Sequence, residues 1–153
     1  MNFQIKLTRT NSNDSDFENL VYQLDNDLAI KNGDKNDFFA TFNKIDKINH
    51  VVLAYCDGLA VGCGAFKAYE NNCVEIKRMF VLNNKRGNGI AGMILLELQL
   101  WAKELGYKKC VLETGDKMQE AIGLYKKHGF AIIPNYGQYK HIETSVCFEK
   151  ELD

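Results

Sequence analysis

Between Arg86 and Gly92 the chain sets three glycines (Gly87, Gly89, Gly92) within six positions, after a run that reads as a strand and at the start of a long helix. A strand, a glycine loop and a helix in series fit α/β layering. The first turn of a helix carries four amides without intrahelical partners and the positive end of the macrodipole, and glycine lets a phosphate approach the backbone closely. Lys85 and Arg86 add charge at the same end. A glycine-rich turn that merely redirects the chain is the alternative. The segment lacks the Lys-Ser/Thr ending of a P-loop and the spacing of a dinucleotide fingerprint.

The neighbouring patterns predict the layers. Phe3 to Leu7 alternates as a strand; Ser15 and Glu18 have capping-box spacing ahead of Phe17, Leu20, Val21, Leu24 and Leu28 at helical intervals. A second helix from Asp34 would align Phe38, Phe39, Phe42 and Ile45. Val51–Cys56 and Leu59–Tyr69 are β-rich runs split by Asp57-Gly58, a pair favoured in two-residue hairpins. Asn71-Asn72 turns into a fourth strand, Cys73–Leu82, whose apolar alternation breaks only at Arg78. A helix from about Gly87 to Leu105 carries Ile90, Ile94, Leu98, Trp101 and Leu105 on one stripe. Lys109–Glu113, a helix capped by Asp116 and Gln119 with Ala121, Leu124 and Tyr125 on its apolar side, Phe130–Ile133 and Thr144–Phe148 complete the order βααβββαβαββ. The expectation is an α/β (α+β mixed-sheet) fold, an antiparallel meander followed by a β-α-β crossover.

At 153 residues the length favours one domain, 1–153. Nineteen basic against twenty acidic residues give a net charge of -1, which argues against a phosphate-backbone binder, so no nucleic-acid partner is expected. Neither a signal peptide nor an apolar run of transmembrane length is present, and the expectation is a cytoplasmic protein without a membrane partner. Cys56, Cys63, Cys73, Cys110 and Cys147 lack ligand spacing and read as reduced, buried thiols. No metal is expected, since His50, His128 and His141 also lack ligand spacing.

The chain resembles the GNAT superfamily of N-acetyltransferases, whose Arg/Gln-x-x-Gly-x-Gly/Ala element is matched by Arg86, Gly89 and Ala91. The resemblance extends through EIKRMFVLNNKRGNGIAG and LETGDKMQEAIGLYKKHGF, and the element order covers nearly the whole chain. It implies the GNAT acyl-CoA N-acyltransferase fold and acetyl-CoA as cosubstrate. The pyrophosphate would rest on the amides of Gly87, Asn88, Gly89, Ile90, Ala91 and Gly92 beside Arg86. The pantetheine would lie along Met79, Phe80 and Val81, with an amide near Phe80 holding the thioester carbonyl. Where relatives often place an Asn near the cofactor this chain has Met118, with Gln119 adjacent as a cofactor contact or a helix cap.

Tyr125 matches the family tyrosine that resembles a general acid for the departing CoA thiolate; a core tyrosine is the alternative. Glu75 and Glu113 occupy positions that family members use for a general base, and either would serve through a water chain; a solvated or salt-bridged carboxylate is the alternative. Tyr136 and Tyr139 would either wall the acceptor pocket or stand as exposed loop aromatics, and Trp101 would be core. The implied activity is direct acetyl transfer to a primary amine of a small molecule, with a homodimer among the open oligomeric states. Protein acetylation, transfer of another acyl group and a non-catalytic CoA-binding module are the rivals.

Overall fold

The computed structural model describes residues 4–32 and 47–153. Phe3 and the expected helix from Asp34 lie outside the described residues. The elements run β1 (Ile5–Thr10), α1 (Ser15–Asn32), β2 (His50–Cys56), β3 (Leu59–Glu70), β4 (Cys73–Val81), a 3-10 turn (Asn83–Lys85), α2 (Ile90–Glu104), β5 (Lys109–Gly115), α3 (Gln119–Lys127), β6 (Ala131–Ile133), a second 3-10 turn (Gly137–Tyr139) and β7 (Ser145–Glu151). The seven strands form one sheet in the order β1-β2-β3-β4-β5-β7-β6. This is the expected mixed α/β sheet.

β1 to β4 form the meander, with β1–β2 and β2–β3 antiparallel. Asp57 and Gly58 take φ of 51° and 82°, the left-handed pair that a tight hairpin turn demands. α2 then carries the chain across so that β5 pairs with β4 in parallel, from Cys73↔Lys109 to Glu75↔Val111. β7 returns antiparallel between β5 and β6.

Several boundaries differ from the sequence expectation. β1 runs to Thr10 because its partner in β2 extends to Val51. The cap of α1 is Asp14, not Ser15: Asp14 Oδ1 accepts from the Asp16 amide at 2.9 Å. α2 begins at Ile90 rather than Gly87, since Gly87 and Gly89 hold left-handed φ of 81° and 77° that a helix cannot absorb. Trp101 is half-buried rather than core, and Leu105 lies beyond the helix end, 50% exposed. β7 reaches Glu151 because its register with β5 continues to Lys109.

The chain divides into two compact units, 1–66 with 78–98, and 67–77 with 99–153. In the first, Phe17, Leu20, Val21 and Leu24 of α1 pack with Val51, Leu53, Cys63, Ala65 and Phe80. Gly64 is required there: a Cβ would lie 2.6 Å from Met79 Sδ and 2.8 Å from Ile94 and Leu98, so only a bare backbone lets α2 settle onto β3. In the second, Cys110, Leu112, Tyr125, Phe130, Cys147 and Phe148 are buried. Among the described residues no helix is long and apolar enough to cross a membrane.

Candidate active site: a glycine loop and a carboxylate–tyrosine cluster

The first unit holds the loop ahead of α2. Among the described residues, chain neighbours aside, no atom lies within 4 Å of where a Cβ would stand on Gly87 or Gly89, so their φ values, not crowding, call for glycine, and the space beside the backbone is open. Asn88 Nδ2 donates to the carbonyls of Lys85 (3.0 Å) and Arg86 (3.3 Å), bracing the turn from within. Ile90, 2% exposed, anchors the helix start, and the Met93 amide makes a helical bond to Gly89 O at 3.1 Å. The amides of the first turn, through Ala91 and Gly92, have no intrahelical acceptor and carry the dipole's positive end.

Arg86 is turned toward the strand. Its Nε donates to Val81 O at 2.9 Å, its guanidinium sits 5.6 Å over the Phe80 ring, and Nη2 lies 3.8 Å from Asp27. The side chain therefore ties the loop to β4, adding its charge from behind. Phe80 and Val81 are buried and Met79 is half-buried beside Gly64.

The second unit gathers the carboxylates. Glu75, 3% exposed, accepts from Tyr136 Oη at 2.7 Å, and Lys77 Nζ lies 3.9 Å from its other oxygen. The Tyr136 ring meets Tyr69 at 5.1 Å and Tyr139 at 5.7 Å, both edge-on. Burial, then the charge and hydrogen bond of Glu75, push the Tyr136 phenol upward, so it remains a donor. Glu113 is half-buried and accepts from Ser145 Oγ at 2.7 Å. Burial raises its carboxyl, as does the charge of Glu75, while the Ser145 bond and Lys77 oppose the rise.

Tyr125 is buried on α3, packed at 5.9 Å against Phe130 and 5.6 Å against Phe148. Burial first, then the Glu113 charge, raises its phenol, which keeps it protonated at neutral pH. Gln119 is exposed and donates from Nε2 to Asp116 O at 2.8 Å, while the N-cap of α3, Met118, makes no side-chain cap bond. The expected cap by the Asp116 side chain is thus replaced by its carbonyl, bonded from Gln119.

The cluster therefore brings together Glu75, Glu113 and Tyr136, and adds Ser145, Tyr69 and Lys77, which sequence reasoning did not select. No local pattern could have found the Tyr136–Glu75 bond, whose partners stand 61 positions apart. Arg78 was visible only as a break in alternation.

The comparisons with known proteins agree with this geometry. The model of the Acetyltransferase (GNAT) family matches residues 18–130. The chain is 36% identical over 102 residues to an IAA acetyltransferase of Azospirillum brasilense, covering 66% of this chain and 67% of that one. It is 34% identical over 100 residues to the uncharacterized N-acetyltransferase YjgM of Escherichia coli, covering 63% and 60%. The chain thus spans about two thirds of the first relative's length and three fifths of the second's. A Klebsiella pneumoniae structure classed as an acyl-CoA N-acyltransferase superposes with a TM-score of 0.82 at 25% identity, over 98% of this chain and 99% of that one. A GNAT acetyltransferase of Elizabethkingia anophelis, solved with acetyl-CoA bound, shares the fold with a TM-score of 0.69 at 21% identity, over 97% and 98%. With the glycine loop, the crossover and a family match over most of its length, the chain belongs to the GNAT acetyltransferase family, whose members draw their acyl group from acyl-CoA.

Proposed function

We propose that residues 1–153 form a single-domain N-acetyltransferase that moves acetyl from acetyl-CoA directly to a primary amine of a small molecule. The observation that carries this reading is the pair of exposed left-handed glycines before α2, with open space where side chains would stand. Backbone of that shape at a helix start suits a pyrophosphate. Acetyl-CoA supplies an activated thioester; the rest is the work of the chain's own groups. The amides from Gly87 to Gly92 bind phosphate, Arg86 braces their loop, Met79 to Val81 offer backbone to the pantetheine, and the Phe80 amide holds the thioester carbonyl.

Glu75 is the favoured base, aligned by Tyr136, with Glu113 as its rival. An alkylammonium must lose one proton before its nitrogen can attack and another as the amide forms. The base passes these to water. As the C–N bond forms and the C–S bond breaks, Tyr125 supplies a proton to the leaving sulfur and regains one from solvent; the sum is amide, CoA thiol and one released proton. Five buried free cysteines support a cytoplasmic setting. Calorimetry with acetyl-CoA, followed by thiol release against a panel of amines, tests the reading. Binding with amine-dependent release is expected; binding without release from any amine would leave a CoA-binding module, and no binding would end the proposal.

A further inference from the structure

Arg78 stands apart from everything assigned above. It is a non-glycine residue at φ 62°, a left-handed conformation that costs about 1–2 kcal/mol. Its side chain is 2% exposed, with Nη1 bonded to Asp25 Oδ1 at 2.6 Å. Among the described residues its buried Nε has no hydrogen-bond partner. A guanidinium offers its donors in a planar fork that matches a carboxylate through two parallel bonds, and leaving a buried donor unmatched is unfavourable.

Asp25 is an anion of a different kind. Its side chain is 51% exposed, so when another carboxylate takes its place on the buried guanidinium Asp25 is left in water rather than stranded. It also lines an open cavity of about 670 Å³ with Ser12, Glu18, Tyr22 and Lys47. The cavity therefore reaches the carboxylate bonded to the guanidinium. Arg78 is two residues before Phe80, at most about 7 Å along the backbone, which is the scale of an amino acid.

We propose that Arg78 binds a carboxylate carried by the acceptor, which takes the place of Asp25 on the guanidinium, so that the acceptor is an α-amino acid rather than a simple amine. This rests on the acetyl-transfer reading above. Asp25 is then a resident stand-in for the substrate's carboxylate, keeping the guanidinium in place between turnovers.

The test uses matched acceptors: tyrosine with tyramine, histidine with histamine, tryptophan with tryptamine, scored by acetyl-CoA-dependent thiol release. The acid should exceed its amine by about tenfold or more in kcat/KM in at least one pair, as expected where a site is built to hydrogen-bond a group. Arg78→Gln should bring that ratio toward one through KM, Arg78→Lys, which keeps charge without the fork, should fall between, and Asp25→Asn should lower KM for the acid. Acetyl-CoA calorimetry shows that each variant is folded. Equal ratios in the wild type or an unchanged ratio in Arg78→Gln would overturn the proposal. Titrating the same pairs without acetyl-CoA reads carboxylate recognition directly, so failure of the acetyl-transfer reading stays distinguishable: tighter binding of the acids, lost in Arg78→Gln, upholds the site, and indifference rejects it.

Discussion

The glycine loop of the first unit and the carboxylate–tyrosine cluster of the second are built from opposite materials. The loop is backbone: two left-handed glycines, a run of amides and an internal Asn88 brace, contained between Lys85 and Gly92. The cluster is side chain: Glu75, Tyr136, Glu113 and Ser145 come from three strands and a loop. A backbone site depends on what the chain omits, so a single added side chain can fill it. A side-chain site depends on what distant segments deliver, and it fails one bond at a time.

The largest effect should come from filling the loop. Gly89→Glu puts a carboxylate where a pyrophosphate is proposed to rest, and acetyl-CoA affinity should fall by more than about a hundredfold by calorimetry. Since a Cβ there meets nothing within 4 Å, the fold should persist with about 1–2 kcal/mol of backbone strain. Undiminished affinity in the folded variant would break the comparison at its first term.

Next is Tyr125→Phe, which keeps the ring against Phe130 and Phe148 but removes the proton donor. A fall in kcat of about 10²- to 10⁴-fold with acetyl-CoA affinity retained is expected, and wild-type kcat would reduce Tyr125 to packing. Tyr136→Phe should then cost about 1.5–3 kcal/mol in urea unfolding, because the buried Glu75 carboxylate loses a charged hydrogen bond. A smaller loss would mean that water replaces the phenol.

The smallest effect is a pH dependence. Burial raises the Glu113 carboxyl above its ordinary 4.5, so the folded state favours its protonated form. That contribution is fully present below the ordinary value and is lost as pH rises through the folded one. Glu113→Gln cannot titrate, so its melting temperature relative to wild type should climb as pH is raised from below 4.5 toward neutrality. A constant difference would show that Glu113 is not perturbed.

The same contrast explains what the sequence made legible. The Asp57-Gly58 turn, the meander and the parallel crossover were readable because each is written in neighbouring residues. The ends of β1 and β7 were not, because a partner strand sets them. Asp14 takes the cap of α1 because its own carboxylate reaches the Asp16 amide, whereas capping-box spacing marks only a pair of residue types. The family element located the loop, while the burial of Glu75 follows from strands and a loop that cover it from elsewhere in the chain. Arg78 showed only a polar break, since neither φ nor an unmatched nitrogen has a sequence signature.

The five cysteines give the chain a clock for its own opening. All are buried, and burial pushes the thiols of Cys63 and Cys110 to about 12 and that of Cys147 to about 11, so an alkylating reagent finds almost no thiolate at these three positions in the closed molecule. Labelling then waits on exposure, and its rate at each position reports how often that part of the protein comes apart. Because the cysteines lie in both units, one mass spectrum taken through time would rank their opening frequencies. A ligand that binds only the closed form would slow the labelling in proportion to its occupancy, so the chain can report its own ligands before any turnover is seen.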